Sequence, residues 1–486
     1  MLSARENVKT LIIDIMATAR MSITFGPLYA LLKKPEKTFR CILAIEAPLE
    51  VRPGELLIIL GPSGSGKTTL LSILASRLEE REFGSPIELY GTPMINDGIP
   101  VATFAAHCPL QIGFVPQANY FIESLTVAET MRMAARLRIP HTVERAEKDR
   151  RADQVIGDLN LSHRANSFVE QLSGGERKRL SIGVELVSAP PLLFLDEPTS
   201  GLDSHNAANL LTKLHDLAAR GHTVIATLHQ PSARMMAQAH KVLLLSAGRV
   251  VYFGPVANVV PYFSRLGAEI PVVGNPADTL LLLIHTESEG DEKKIIHLSH
   301  LWRQWYETGQ ISQADGVGHE HAKLWPRRAL RMLRQVRNAS TNATGISGSA
   351  SAARAVVSAR DAEKLNRDAA ASSAAGADSA IARSHDDRKV FAPTEINFED
   401  RSVPTMSWCG EFGLLIQRHG LQSLRTPKAL QLRLFQALFM AVLVSLVFMQ
   451  IGTTQASIQS RNGALFFLVR IRIRMHTAAV CIYTYT

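Results

Sequence analysis

The sequence predicts an α/β domain built on a mostly parallel sheet, then a linker unable to pack a core, then the start of an all-α membrane region. Three observations predict this. Between residues 40 and 290, apolar runs of strand length alternate with amphipathic runs of helix length, the pattern of strands joined by helical crossovers. The stretch "GPSGSGKT", residues 61–68, stands between one such run and a helix-like segment. Residues 434–451, "LFQALFMAVLVSLVFMQI", contain no charge and fall within the roughly 17–25 residues needed to cross hydrocarbon.

The strand candidates are "ELLIIL" (55–60), "PLLFLD" (191–196), "TVIATLH" (223–229) and "KVLLLSAGRVVYFG" (241–254). They are apolar at consecutive positions, which suits strands buried on both faces of a sheet. Residues 1–39 read as an N-terminal extension, 40–290 as the nucleotide-binding domain and 291–338 as linker helices, the basic stretch 320–337 among them. Residues 339–390 are rich in Ala, Ser, Gly and Arg; with few bulky apolar side chains they predict a disordered linker. Residues 391–433 form a connecting region in which Trp408, Phe412, Leu415 and Ile416 share one helical face. A first transmembrane helix is predicted at 434–452 and the start of a second at 463–469. Arg425, Lys428 and Arg433 precede the first span and only Arg461 follows closely, which puts its N-terminal side in the cytosol. From residue 470 the repeated Ile-Arg and Tyr-Thr pairs serve no packing or membrane role and read as an anomalous tail, translated repeat or intron sequence.

The chain has 486 residues, 46% hydrophobic and 20% charged, more than one ordinary domain of roughly 100–200 residues requires. A formal charge of +9 fits an anionic surface or basic residues gathered in tails and juxtamembrane segments, and selects neither alone. No nucleic-acid partner is expected. The four cysteines lie far apart without C-x-x-C spacing, so neither a zinc site nor a disulfide framework is indicated. Asp14 interrupts the apolar patch near the N-terminus, and no secretory signal is read there.

The chemistry concentrates in four places. In the loop Gly61, Pro62, Ser63, Gly64, Ser65, Gly66, Lys67, Thr68, continued by Thr69, glycines let backbone N–H groups turn inward onto phosphates at a helix N-terminus. Lys67 would reach the β- and γ-phosphates, and the Thr68 hydroxyl would bind Mg²⁺. At the end of "PLLFLDEPTSGLDS", Asp196 is placed to hold Mg²⁺ and Glu197 to accept a proton from, or orient, an attacking water. "LSGGERKRLS" (172–181) places Ser173, Gly174, Gly175 and Glu176 at a turn opening a helix, a second set of N–H donors for phosphate. Gln117 in "GFVPQANYF" and His229 in "ATLHQPSA" are polar residues at the ends of apolar runs.

With the phosphate loop, the carboxylate pair and the Ser-Gly-Gly turn in this order, the chain resembles an ATP-binding cassette (ABC) protein, a P-loop NTPase with a helical subdomain. Within that class "LTVAETMRMAARLRIP", "TLHQPS", "VVYFGPVANVVPYFSRLGAEIP" and "NPADTLLLLI" resemble the G subfamily of half-transporters, in which the cassette precedes the membrane domain. The resemblance covers roughly 40–300 and 405–469. It implies ATP and Mg²⁺ as cofactors, with Gln117 as a third Mg²⁺ contact, His229 holding the γ-phosphate and Asp203 in the family's D-loop. Phe39 is the choice for the aromatic that stacks on adenine. It further implies a homo- or heterodimer with another half-transporter, with ATP held by one cassette and covered by Ser173 and Gly175 of the other. The function implied is ATP-driven export of a small hydrophobic substrate, a lipid, sterol or xenobiotic, in contact with membrane lipid.

Three departures accompany the resemblance. Glu170 and Gln171 lead into the signature where the subfamily carries an arginine- or glycine-bearing turn, the Ala/Ser-rich linker is longer, and most of a six-helix membrane domain is missing. Two other readings stay open: a soluble ABC ATPase with 434–451 as a buried helix, and a truncated regulatory form that pairs with full-length partners.

Overall fold

The computed structural model describes residues 20–33, 39–78, 87–268, 270, 275–286, 289–308, 408–425 and 427–448. The expected linker at 339–390, the basic stretch 320–337, the second-span start at 463–469 and the tail at 470–486 lie outside them. The chain divides into two compact units at Glu411/Phe412.

The first unit carries a nine-stranded sheet in the order β6-β2-β3-β13-β12-β5-β11-β10-β9. These are β2 (Leu28–Lys33), β3 (Phe39–Ile45), β5 (Leu56–Leu60), β6 (Ile87–Tyr90), β9 (Ile112–Val115), β10 (Leu192–Leu195), β11 (Thr223–Thr227), β12 (Lys241–Ser246) and β13 (Arg249–Pro255). The five strands β12-β5-β11-β10-β9 pair in parallel, and Leu56–Leu60, Leu192–Leu195 and Thr223–Thr227 are buried throughout. Continuous apolar runs arise because both faces of a parallel sheet are covered. A second sheet of β1 (Ile23–Phe25), β4 (Leu49–Val51), β7 (Met94–Ile95) and β8 (Ile99–Pro100) is antiparallel, in the order β4-β1-β7-β8. Strands β1 and β2 precede residue 40 and already belong to the two sheets.

The run at 241–254 is two strands rather than one. β12 and β13 form an antiparallel hairpin in which Ser246 pairs with Arg249. The two residues between them, Ala247 (φ 47) and Gly248 (φ 74), are both left-handed, which is what a two-residue turn matching strand twist requires. Ser246, Gly248 and Arg249 interrupt the apolar pattern there, while alanine at the first turn position carries no turn signature of its own.

Three helices form the subdomain beside β9: α1 (Val127–Arg138), α2 (Arg145–Asp158) and α3 (Gly174–Leu186). Thr126 and Glu129 cap α1 reciprocally, each bonding the other's backbone N–H. Arg136 pairs with Asp149 across α1 and α2 at 2.6 Å. Arg138 forks onto Glu185 of α3 at 2.6 and 2.7 Å, and Glu185 also accepts from Phe114 N at 3.3 Å. That bond ties the helical subdomain to β9.

Beyond β13, α4 (Glu289–Thr308) packs on the sheet through aromatic side chains. Trp302 is 1% exposed, and Trp305 lies 5.1 Å from Tyr262 and 6.0 Å from Tyr252, ring centre to ring centre. The C-terminal region contains α5 (Trp408–Arg425) and α6 (Pro427–Phe448). Phe412, Leu415 and Ile416 on α5 and Leu432, Phe435, Leu438, Phe439 and Val442 on α6 are exposed. The span expected at 434–452 is described only as far as Phe448. Among the described residues no helix is long and apolar enough to cross a membrane.

Candidate functional site

The loop after β5 folds back on itself because its neighbours leave no room to do otherwise. A Cβ at Gly61 would meet Leu245 O at 2.1 Å and Ser65 Oγ at 2.6 Å, so only glycine fits beside β12. Gly66, with φ 97, starts the helix Lys67–Leu74 without a side-chain cap. The first-turn N–H groups of that helix are therefore left for another acceptor. The hairpin turn braces the loop: Gly248 N donates to Ser65 O at 3.0 Å, and Gly248 O accepts from Ala44 N at 2.7 Å.

Lys67 is 7% exposed, and its Nζ donates to Gly61 O and Pro62 O, each at 2.9 Å. Burial pushes its pKa down, while the nearby Glu197 and Asp196 carboxylates pull it upward. Ser65 Oγ is buried with no hydrogen-bond partner. A buried ammonium held only by carbonyls, an orphan hydroxyl and uncapped helical N–H groups together form a cradle that an anion would satisfy. The loop borders a cavity of about 990 Å³ lined by Pro62 to Thr69, by Phe39 to Ile42, and by Glu197, Ala247, Gly248, Thr286 and Glu292.

The two carboxylates follow β10. Asp196 is 4% exposed and its Oδ1 accepts from Thr68 Oγ1 at 3.2 Å and from Thr227 Oγ1 at 2.6 Å. Its backbone N–H donates to Val115 O at 2.9 Å. Glu197 adopts φ 42, a left-handed conformation that is costly for a side chain of this kind and points to a constraint imposed by the surroundings. Its N–H donates to Thr227 Oγ1 at 2.8 Å, and its Oε2 accepts from Gln117 Nε2 at 2.8 Å. Phosphate loop, both carboxylates and Gln117 are thus one bonded group.

The Ser-Gly-Gly turn stands elsewhere. Ser173 caps α3 through a reciprocal box: Glu176 N donates to Ser173 Oγ at 3.3 Å and Ser173 N to Glu176 Oε2 at 2.9 Å. Burial opposes the Glu176 carboxylate, but the N–H and hydroxyl of Ser173 and the Arg164 guanidinium outweigh it, holding its pKa down at about 2. Gly174 opens α3 and Gly175 is buried beside Leu202 and Asn206. Asp203 caps the helix Ser204–Ala219, accepting from Asn206 N at 2.8 Å and Asn206 Nδ2 at 2.6 Å; these bonds lower its pKa. Ser173, Gly174, Gly175, Glu176, Asp203 and His229 do not line the cavity among the described residues. His229 is exposed, two positions past the end of β11.

Sequence reasoning overlooked Thr227, Lys178 and the Ala247–Gly248 brace. Thr227 had a faint signal, as a polar residue ending an apolar strand two positions before His229. Lys178 donates to Pro116 O at 2.7 Å and Gln117 O at 3.1 Å, and its position inside a basic run "ERKR" disguised it.

Residues 46–200 match the family model described as ABC transporter, and residues 229–450 match that described as ABC-2 type transporter. ABC transporter G family member 22 of Arabidopsis thaliana is 44% identical over 236 residues, 48% of this chain and 30% of the relative's length. Protein white of Drosophila melanogaster is 30% identical over 439 residues, 89% of this chain and 53% of its own length. ABC transporter G family member 22 of Dictyostelium discoideum is 28% identical over 475 residues, 95% of this chain and 64% of the relative. The chain thus spans less than two thirds of the length of each of these relatives.

Proposed function

From the match of residues 46–200 and 229–450 to ABC-transporter family models and from the G family relatives among its similar proteins, we propose that the chain is the ATP-binding and ATP-hydrolysing subunit of an ABC half-transporter. The observation that carries this reading is the bonded group Thr68–Asp196–Thr227–Glu197–Gln117 beside the Lys67 loop. Lys67 and the N–H groups after Gly66 bind the β- and γ-phosphates of ATP. Thr68 Oγ1, Asp196 and Gln117 offer the oxygen donors that suit a hard divalent cation. When bound, Mg²⁺ supplies charge neutralisation on the phosphate oxygens. Glu197, held by Gln117 and by its own N–H on Thr227, orients a water and takes its proton at a carboxylate oxygen. His229 approaches the γ-phosphate from the end of β11, and Phe39 offers a face to the base.

Ser173 and Gly175, at the N-terminus of α3, take the nucleotide of a second cassette. The partner is a second copy or another half-transporter, with Asp203 at the contact between them. Residues 434–452 cross the membrane, with the cassette in the cytosol. The cargo is a small hydrophobic molecule: a lipid, sterol or xenobiotic. Closure of the paired cassettes on ATP moves the membrane helices from one access state to the other.

The test is ATP turnover by the complete protein in membranes. Glu197→Gln should retain ATP binding and lose hydrolysis on the order of 100-fold or more; undiminished hydrolysis would remove Glu197 from its role. Release of the chain from membranes by alkaline carbonate would overturn its integral placement.

A further inference from the structure

Lys178 occupies an expensive position. It stands on α3, is 3% exposed, and its Nζ bonds two neutral carbonyls, Pro116 O at 2.7 Å and Gln117 O at 3.1 Å. Burial lowers its pKa to about 8, against the Asp196 and Glu197 carboxylates, which raise it. An apolar residue would pack a helix against β9 without the desolvation cost of an ammonium. The charge is therefore held there for something other than packing.

What it holds is the backbone that aims Gln117. The carbonyl of Gln117 is bound by Lys178, and the side-chain amide of the same residue donates to Glu197 Oε2 at 2.8 Å. At the other end of the link, α3 begins at the Ser173 cap, and a helix rises about 1.5 Å per residue, so Lys178 lies some two turns or less from that cap. Ser173, α3, Lys178, Gln117 and Glu197 thus form a continuous line of helix and hydrogen bonds within one cassette.

Resting on the function proposed above, we propose that Lys178 is a positioning residue: it locks the Pro116–Gln117 backbone to the signature helix, so that movement of that helix sets how Gln117 presents Glu197 to water. Docking of the Ser173 turn on the partner's nucleotide then acts on the base of the same chain. A rigid helix and two directional bonds transmit displacement; a greasy contact would let the loop slide.

The test uses the complete protein in membranes and a double-mutant cycle. Lys178→Met keeps the length and removes the donors; Lys178→Gln restores N–H donors without charge. With Gln117 intact, Lys178→Met should lower kcat roughly 10- to 100-fold, with KM for ATP changed no more than about twofold, and Lys178→Gln should recover part of the rate. In a Gln117→Ala background the same Lys178→Met change should cost less than about twofold, because the residue it acts through is gone. A structural role would give the same loss in both backgrounds, accompanied by a lower Tm, and that result, or wild-type kcat in Lys178→Met, overturns the proposal. Should Lys178→Met not fold, Lys178→Gln carries the same cycle, with an equal loss in both backgrounds as the overturning result. A wild-type chain that does not hydrolyse ATP would defeat the proposed function itself and is read separately.

Discussion

Thr227 Oγ1 donates to Asp196 Oδ1 at 2.6 Å and accepts from Glu197 N at 2.8 Å. One fully buried hydroxyl on β11 thus holds the carboxylate of Asp196 and the backbone N–H of Glu197, the two residues that follow β10, and holds Glu197 in its left-handed backbone conformation.

Thr227→Val keeps the shape and removes both bonds. Leaving Glu197 N and Asp196 Oδ1 short of a partner should cost about 1–3 kcal/mol of stability. ATP turnover should fall on the order of tenfold or more, and Thr227→Ser should restore it. Chemical denaturation and steady-state ATPase assays measure the two effects; a fully active valine variant would show that the hydroxyl holds nothing of consequence.

Gly61→Ala places a methyl group 2.1 Å from Leu245 O, closer than any real contact. β12 and the loop cannot separate without breaking the parallel pairing of β5 and β12. The variant should lose about 3 kcal/mol or more, read as a collapse of the denaturation midpoint or of folded yield. An alanine protein of native stability would contradict this packing.

ATP binding should stabilise the cassette. At a nucleotide concentration about 100 times Kd, linkage predicts roughly 2.7 kcal/mol, seen as a rise in Tm. Lys67→Ala should abolish most of that rise, since Lys67 supplies the cation in the loop. An equal nucleotide-induced shift in both proteins would place ATP elsewhere.

The Glu176 carboxyl is held down at about 2 from an ordinary value of 4.5. A carboxylate with depressed folded pKa adds stability that is full above its unfolded pKa and is lost as pH falls through the folded one. Stability should therefore drop between about pH 4.5 and pH 2 in part through this group. Glu176→Gln should show a shallower acid dependence in denaturation measured at successive pH values. An unchanged slope would mean that the Ser173 box does not depend on the charge.

The phosphate loop, the carboxylate pair and the Ser-Gly-Gly turn were legible in the sequence because each requires particular residues next to one another in the chain. Glycine must sit where backbone wraps an anion, and lysine and threonine must open the helix that follows. Strands β5, β10 and β11 were legible for a related reason, since burial on both faces leaves an unbroken apolar run. The hairpin at 241–254 was less legible: Ser246, Gly248 and Arg249 interrupt its apolar run, but an alanine takes the first left-handed position, where an Asn or Asp would mark a two-residue turn.

What the amino-acid order determined was therefore the inventory of chemistry: a loop for phosphate, two carboxylates, a capped turn, and an apolar segment near the end. Only tertiary structure decided how these meet. Asp196 finds Thr227 because β10 and β11 run parallel in a register that sets Leu195 beside Ala226. Lys178 finds the Gln117 backbone because α3 packs across β9. Gly61 is obligatory because Leu245 lies on the adjacent strand. Each partnership joins residues far apart in the chain, and local patterns carry no term for a neighbour that arrives through strand order and register.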